Sequence, residues 1–211
     1  MPEVLKLIQS IKPKTSSGDD ISNKIIVKSS SVLAPYVTHL INISFSTGVF
    51  PKCFKVAKVL PLHKGGPLDD PNNYRPISLL SSLSKVLEKA MSNQIYSYFN
   101  HFQLFTNNQY GFRSKRSTID ALLRIVENVR DNIESKIYPC CLLLDLKKAF
   151  DTVTHQTLRR KLEKYGIRGN TLKWRTSYLS DRTQYTQLNS NAKSGFDRIT
   201  VGVPQGSILG P

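Results

Sequence analysis

Few residues in this 211-residue sequence have the type and spacing to do more than pack, and the most informative of them is Asp145. It follows Cys140-Cys141-Leu142-Leu143-Leu144, a run without charge or breaker that reads as a central strand covered on both faces. A strand of that kind has no use for a carboxylate in its interior, so Asp145 belongs at its exit. There it either caps a turn or is mounted rigidly, within reach of water, as a metal ligand or an acid–base group. The other chemistry-bearing residues are cations and glycines in loops. Lys64 lies in the turn His63-Lys64-Gly65-Gly66-Pro67, and Arg75 opens the extended Arg75-Pro76-Ile77-Ser78-Leu79-Leu80. Arg113, Lys115 and Arg116 stand at the entrance of a helix capped by Ser117. The macrodipole and the unpaired N–H groups at such an end already favour an anion, so cations placed there suit phosphate, with solvated surface charge as the alternative. The closing Gly202-Val203-Pro204-Gln205-Gly206-Ser207-Ile208-Leu209-Gly210-Pro211 is a backbone that could lie flat against a ligand.

These residues need elements to hold them. Apolar spacing predicts a short helix from Pro2 to Ile11, a second from Asn23 to Ser29 capped by Asp20 or Ser22, and a third from Ser31 to about Phe45, ended by Gly48. Val56 to Leu62 reads as a strand, and Pro76 forbids helix in the next extended segment. Ser81 or Ser82 caps an amphipathic helix with Leu83, Val86, Leu87, Ala90, Met91 and Ile95 inward and Lys85, Glu88 and Lys89 outward. The Ser117 helix carries Leu122, Leu123, Ile125, Val126 and Val129. Helices follow from about His155 to Tyr165 and from Leu172 to Leu179, then a hairpin of Arg182 to Leu188 with Gly195 to Val201.

Thirty Lys and Arg against fifteen Asp and Glu give a net charge of +15, an attraction for polyanions, nucleic acid first and acidic membrane second. The cations are spread along the chain, which indicates a folded basic surface and not a tail. No apolar run of ~18 residues is present to span a bilayer, and no signal-peptide pattern opens the chain, so no membrane association and an intracellular location, cytoplasm or nucleus, are expected. Cys53, Cys140 and Cys141 form no C-x-x-C pair and read as reduced core thiols. His39, His63, His101 and His155 show no i, i+4 pairing, which argues against a histidine metal site.

Taken in order, Arg75 to Leu80, Gln109-Tyr110-Gly111-Phe112-Arg113, Asp145 to Asp151 and Gly202 to Ser207 resemble the motifs of a reverse transcriptase, most closely the non-LTR (LINE-type) retrotransposon branch. The resemblance implies an α+β fold of polymerase fingers and palm: residues 1–54 as an N-terminal extension of the fingers, 55–137 as fingers and 138–211 as an incomplete palm. It implies an RNA-directed DNA polymerase, a nucleotidyltransferase working on an RNA template, a DNA primer and deoxynucleoside triphosphates. Asp145 and the Leu146 carbonyl would be ligands in a two-metal Mg²⁺ site. Lys64, Arg75 and Arg113 would lie against the triphosphate, Phe150 beneath the sugar, and Gln205 and Gly206 against nucleotide and template. The family's remaining carboxylates belong to an Ala-Asp-Asp hairpin that comes after Pro211, so the expectation is a truncated piece inactive alone. Gly18-Asp19-Asp20, which looks like such a pair, has no hydrophobic strand before it and is read as a decoy. Asp151 is expected to cap the following helix; the competing reading, a ribose sensor as in an RNA-dependent RNA polymerase, is disfavoured by Phe150. A non-catalytic nucleic-acid-binding remnant is the other alternative. Oligomeric state is not indicated.

Overall fold

A computed structural model describes residues 1–13, 21–146, 148–188 and 192–210. Gly18-Asp19-Asp20, and with it the capping alternative at Asp20, lies outside the described residues. The chain forms two units, residues 1–94 with 148–211, and residues 95–147.

In the first unit, α1 (Pro2–Gln9), α2 (Asn23–Lys28) and α3 (Ser30–Thr47) follow the expected boundaries closely. Ser22 caps α2 by accepting a hydrogen bond from the Lys24 N–H, and Gly48 ends α3 at φ 68°, a conformation that glycine adopts without strain. The sheet has the order β2-β1-β3-β4: β1 (Val56–His63) pairs antiparallel with β2 (Tyr74–Leu79) and parallel with β3 (Arg182–Thr186), and β3 pairs antiparallel with β4 (Asp197–Ile199). A mixed α and β architecture with one small sheet is therefore present. Helices α6 (His155–Lys164) and α7 (Gly169–Leu179) precede β3.

The core is aromatic. Trp174 and Tyr178, one turn apart on α7, stack at 5.8 Å, and the Phe50 ring meets both edge-on at 5.2 and 5.1 Å. These are favoured ring geometries, and all three side chains are wholly buried. The Trp174 indole N–H donates to the Ser44 hydroxyl of α3 at 2.7 Å, which satisfies its polar edge and ties α7 to α3.

Helix α4 (Ser82–His101) buries Val86, Leu87, Ala90 and Met91 as its pattern requires. Glu88 is a correction: expected on the outer face, it is wholly buried. The physical reason is positional, since Ser84, Glu88, Met91 and Ile95 recur at i, i+4, i+7 and i+11 and form one stripe. The stripe turns inward with its carboxylate.

In the second unit, α5 (Thr118–Glu134) begins with a full capping box, Ser117 accepting from the Asp120 N–H while Asp120 accepts from the Ser117 N–H. Its apolar stripe, Ile119, Leu122, Leu123, Ile125 and Val126, is exposed. The run Cys140 to Leu144 corrects the sequence reading more sharply. It forms no strand, and Leu142, Leu143 and Leu144 are 79%, 87% and 85% exposed. A central strand exists only where neighbours complete both of its ladders, and among the described residues none pairs with this run. The cysteines are corrected with it: Cys53, Cys140 and Cys141 are free thiols at the surface, not core residues. No helix among the described residues is long and apolar enough to cross a membrane.

Candidate nucleotide site

The closing loop is the centre of the site in the first unit. Gly202 donates its N–H to the Val153 carbonyl and Val203 donates to the Phe150 carbonyl, each at 2.8 Å, so the loop is laid on the turn before α6. The approach admits no side chain: at φ 83°, a Cβ on Gly202 would fall 2.9 Å from the carbonyl oxygens of both Phe150 and Asp151. A His155 ring nitrogen lies 2.7 Å from the Gly202 carbonyl and closes the same junction from α6.

The other flank of the loop completes the sheet. Strand β2 is an edge strand, and its Ser78 N–H, facing away from β1, donates to the Gln205 carbonyl at 2.8 Å. An exposed edge group is thereby satisfied. Gly206, at φ 110°, continues past Ser78 so closely that a Cβ would meet the Ser78 carbonyl oxygen at 2.8 Å. Val203, Ser207 and Leu209 are buried, which fixes the loop, while Gly206 stays exposed.

Between these parts is a cleft of about 220 Å³ lined by Pro76, Ser78, Asp151, Gln184, Gly202 and Gln205, among others. The Gln205 amide donates to the Asp151 carboxylate at 3.0 Å. That contact corrects the role expected for Asp151: α6 takes Thr154 as its N-cap residue, and the Asp151 carboxylate holds the Gln205 side chain instead. The reason is that the loop supplies a donor at close range, whereas the N-cap position of the helix is three residues farther on.

A buried polar group holds the loop from below. Glu88 accepts from the Ser84 hydroxyl at 2.9 Å, from the Tyr178 hydroxyl at 3.3 Å and from the Ile208 N–H at 2.9 Å. Arg175 and Arg182 are buried nearby; Arg182 donates to the Tyr178 carbonyl at 3.1 Å, and its guanidinium lies 4.9 Å from the Tyr178 ring centroid. Burial, and then the Glu88 charge, raise the Tyr178 pKa well above the usual phenol range. Burial likewise lowers the pKa of the Arg175 guanidinium. Sequence reasoning missed Glu88 as a support of the site; the signal available was its place in the stripe of Ser84, Met91 and Ile95.

The remaining expected residues lie as follows. Arg75 is exposed on β2, three residues before Ser78, and Lys64 is exposed in the turn after β1, where its N–H donates to the Asn73 carbonyl at 2.8 Å. The Phe150 carbonyl accepts from the Val203 N–H, the Gln205 side chain reaches Asp151 of the same turn, and Gly206 lies instead against Ser78 of β2. Asp145, Leu146 and Arg113 belong to the second unit. Asp145 is exposed at the end of the unpaired run. The Arg113 guanidinium sits 4.5 Å from the Phe105 ring centroid and donates to the Thr106 carbonyl at 3.0 Å, so it is fastened within its own unit by a cation–π contact and one hydrogen bond. Among the described residues no group of three or more His, Cys, Asp or Glu side chains could hold a metal ion.

Residues 62–211 match the family model described as "Reverse transcriptase (RNA-dependent DNA polymerase)". Along 99% of its length the chain is 35% identical to the probable RNA-directed DNA polymerase from transposon BS of Drosophila melanogaster, covering 23% of that protein. It is 32% identical over its whole length to the RNA-directed DNA polymerase from mobile element jockey of the same organism, again covering 23%. Over 99% of its length it is 25% identical to the Pol polyprotein of the type-1 retrotransposable element R2 of Popillia japonica, covering 28%. The chain thus spans about a quarter of the length of these relatives. A loop laid flat on the turn after Asp145 and a family match running through both motifs agree: the chain belongs to the reverse transcriptase family, in the branch of the non-LTR retrotransposons.

Proposed function

We propose that the protein carrying this chain is an RNA-directed DNA polymerase that extends a DNA primer on an RNA template with deoxynucleoside triphosphates. The observation that carries the reading is the docking of Gly202–Gly206 on the Phe150–Val153 turn and on the edge of β2, which gathers three separate family motifs around one cleft. In this reading Phe150 forms the floor under the sugar, with its backbone held by the Val203 N–H. Gln205, its amide oriented by Asp151, faces the nucleotide, and Gly206 lets the backbone come close to the template strand. Arg75, Lys64 and Arg113 lie against the triphosphate, the two arginines by the planar fork that suits phosphate oxygens.

Asp145 and the Leu146 carbonyl are oxygen donors of the kind a hard cation takes, and they would be ligands of Mg²⁺. Two donors do not complete such a site. In the same reading the architecture is the polymerase right hand, with residues 1–54 extending the fingers, 55–137 as fingers and 138–211 in the palm, and the protein acts inside the cell. The engagement of Asp151 with Gln205 supports a structural role for that carboxylate over a ribose-sensing one.

Primer extension on an RNA template tests the assignment. Asp145→Asn is expected to abolish incorporation, a loss on the order of 10³-fold, the scale of several kcal/mol of lost transition-state charge stabilisation. Phe150→Val is expected to raise ribonucleotide use relative to deoxyribonucleotide use. Undiminished synthesis by Asp145→Asn removes the catalytic reading, and an unchanged ratio of kcat/KM values in Phe150→Val removes the sugar-floor role.

A further inference from the structure

One peptide unit of the closing loop is held from both of its edges. The Gly202 carbonyl lies 2.7 Å from the His155 Nε2, and the Val203 N–H donates to the Phe150 carbonyl at 2.8 Å. These two groups belong to the same peptide bond. It is trans, so its C=O and N–H point in opposite directions from one rigid plane. His155 therefore grips the edge of that plane that faces away from Phe150. Because a carbonyl can only accept, the Nε2 carries the hydrogen and donates it.

The tilt of the plane depends on these two bonds. Gly202 has no side chain to pack, and at φ 83° it occupies a region that glycine enters without strain. Its own N–H, bonded to the Val153 carbonyl, fixes the preceding peptide unit. Val203 is buried and anchors the far end of the plane, which leaves rotation between the two Cα atoms to the hydrogen bonds. His155 is half-buried at the first position of α6, and the bond to Gly202 is its only hydrogen bond among the described residues. Its ring also lines a cleft of about 200 Å³ between α6 and α7, with open space beside it. The contact with Gly202, more than packing, sets where the ring stands.

We propose that His155 is a positioning residue for sugar selection: by holding the Gly202 carbonyl it aims the Val203 N–H at the Phe150 carbonyl, and so keeps Phe150 at one height. The inference rests on the reading of Phe150 as the floor under the nucleotide sugar, and it gives His155 a part in that floor without contact to the nucleotide. Ribose and deoxyribose differ by one hydroxyl, and excluding it by contact tolerates a displacement of only about 0.5 Å. Loss of the His155 donor lets the plane turn and the floor shift. The effect falls on the choice between sugars more than on synthesis as a whole.

The test compares His155→Phe and His155→Gln with the wild type and with Phe150→Val, in the whole protein that carries this chain. In His155→Phe the Val203 N–H is expected to exchange with solvent about tenfold faster, the worth of one lost hydrogen bond. The preference for deoxyribonucleotide over ribonucleotide, as a ratio of kcat/KM values, should fall by roughly threefold to tenfold. His155→Gln, whose amide N–H reaches about as far as the ring Nε2, should restore both, a rescue that loss of packing alone does not give. An unchanged ratio in His155→Phe where Phe150→Val changes it overturns the proposal. An unchanged ratio in both variants shows that the reading of Phe150 itself has failed, and the proposal falls with it. Unchanged exchange at Val203 overturns it independently of any polymerase activity, as does a His155→Gln variant that loses discrimination as fully as His155→Phe. Should His155→Phe not fold, His155→Asn, whose shorter amide stops short of the carbonyl, takes its place.

Discussion

The Gly202–Ile208 loop and the Cys140–Leu146 run are each dense in family motif residues, yet the chain treats them in opposite ways. The loop is bonded to Phe150, Val153, Ser78 and Glu88, and Val203 within it and Leu209 just after it are buried. The run has three successive leucines at 79% exposure or more and, among the described residues, no strand beside it. A loop can be built from single hydrogen bonds to whatever backbone lies near. A central strand cannot, because each of its residues needs a neighbour on either side. Difference in mutational cost should follow this difference in construction.

Glu88 should show the largest effect. Glu88→Ala leaves the Tyr178 hydroxyl and the Ile208 N–H without their acceptor and removes the negative charge that acts on the buried Arg175, which should lower stability by about 3–5 kcal/mol in urea unfolding. Glu88→Gln, which keeps one acceptor, should cost about 1–3 kcal/mol. A loss below about 1 kcal/mol in Glu88→Ala would mean that the loop does not depend on the group beneath it.

Backbone approach gives the next effect. Gly202→Ala forces a side chain into a left-handed conformation and against two carbonyl oxygens, so a loss of about 1–3 kcal/mol is expected from the strain alone. Gly111, in the second unit, meets nothing within 4 Å of its built Cβ, and Gly111→Ala should stay within about 0.5 kcal/mol. Equal costs at the two glycines would erase the contrast.

How much of this was legible in the sequence follows from the range over which each signal acts. The Ser117 cap, Ser22 as one of the two caps offered for α2, Gly48 as a helix stop and, to within a residue, the β1 and β2 boundaries depend on residues within one or two turns, and the structure has them. The flatness of the closing loop was legible in Gly202 and Gly206, whose backbone needs are local. The failures are non-local. Glu88 was placed outward because charge outranked its stripe position, and its partners Tyr178 and Ile208 lie 90 and 120 residues away. Asp151 was assigned to the nearest helix when its partner, Gln205, is 54 residues off. The Cys140–Leu144 run has the composition of a central strand, but composition does not supply the neighbours. Lys55, just before β1, looks outward from the sequence alone as a cation flanking a strand, and only packing shows its residue 7% exposed.

A smaller effect is expected at the Asp151–Gln205 contact. Asp151→Ala should lower stability by about 1–2 kcal/mol through the lost charge-assisted hydrogen bond. If the protein is the polymerase proposed above, the same change should lower kcat/KM for the nucleotide further, because the Gln205 amide is then free to turn. Asp151→Asn retains an oxygen acceptor and should cost less in both measurements. If Asp151→Ala unfolds like the wild type and incorporates nucleotide at an unchanged kcat/KM, the contact has no part in positioning Gln205.

The smallest effect, and the one that probes the comparison most directly, is expected at Leu143. In a buried central strand, successive side chains point to opposite faces of the sheet, so Leu142 and Leu144 would be covered on one face and Leu143 on the other. Replacing any of them by serine would then remove a core side chain and cost about 2–5 kcal/mol, as at other well-packed sites. Here all three are exposed together, which no half-covered strand produces, and Leu142→Ser and Leu143→Ser should each change stability by no more than about 0.5 kcal/mol. Val59→Ala on β1, where the side chain is 6% exposed, serves as the buried reference and should cost about 1–3 kcal/mol. Amide exchange gives an independent reading: the N–H groups of residues 142–144 should exchange without protection, while those paired between β1 and β2 are slow. A loss above about 2 kcal/mol at Leu143, together with slow exchange there, would show that the run is a covered strand after all and that Asp145 is held as firmly as Gln205.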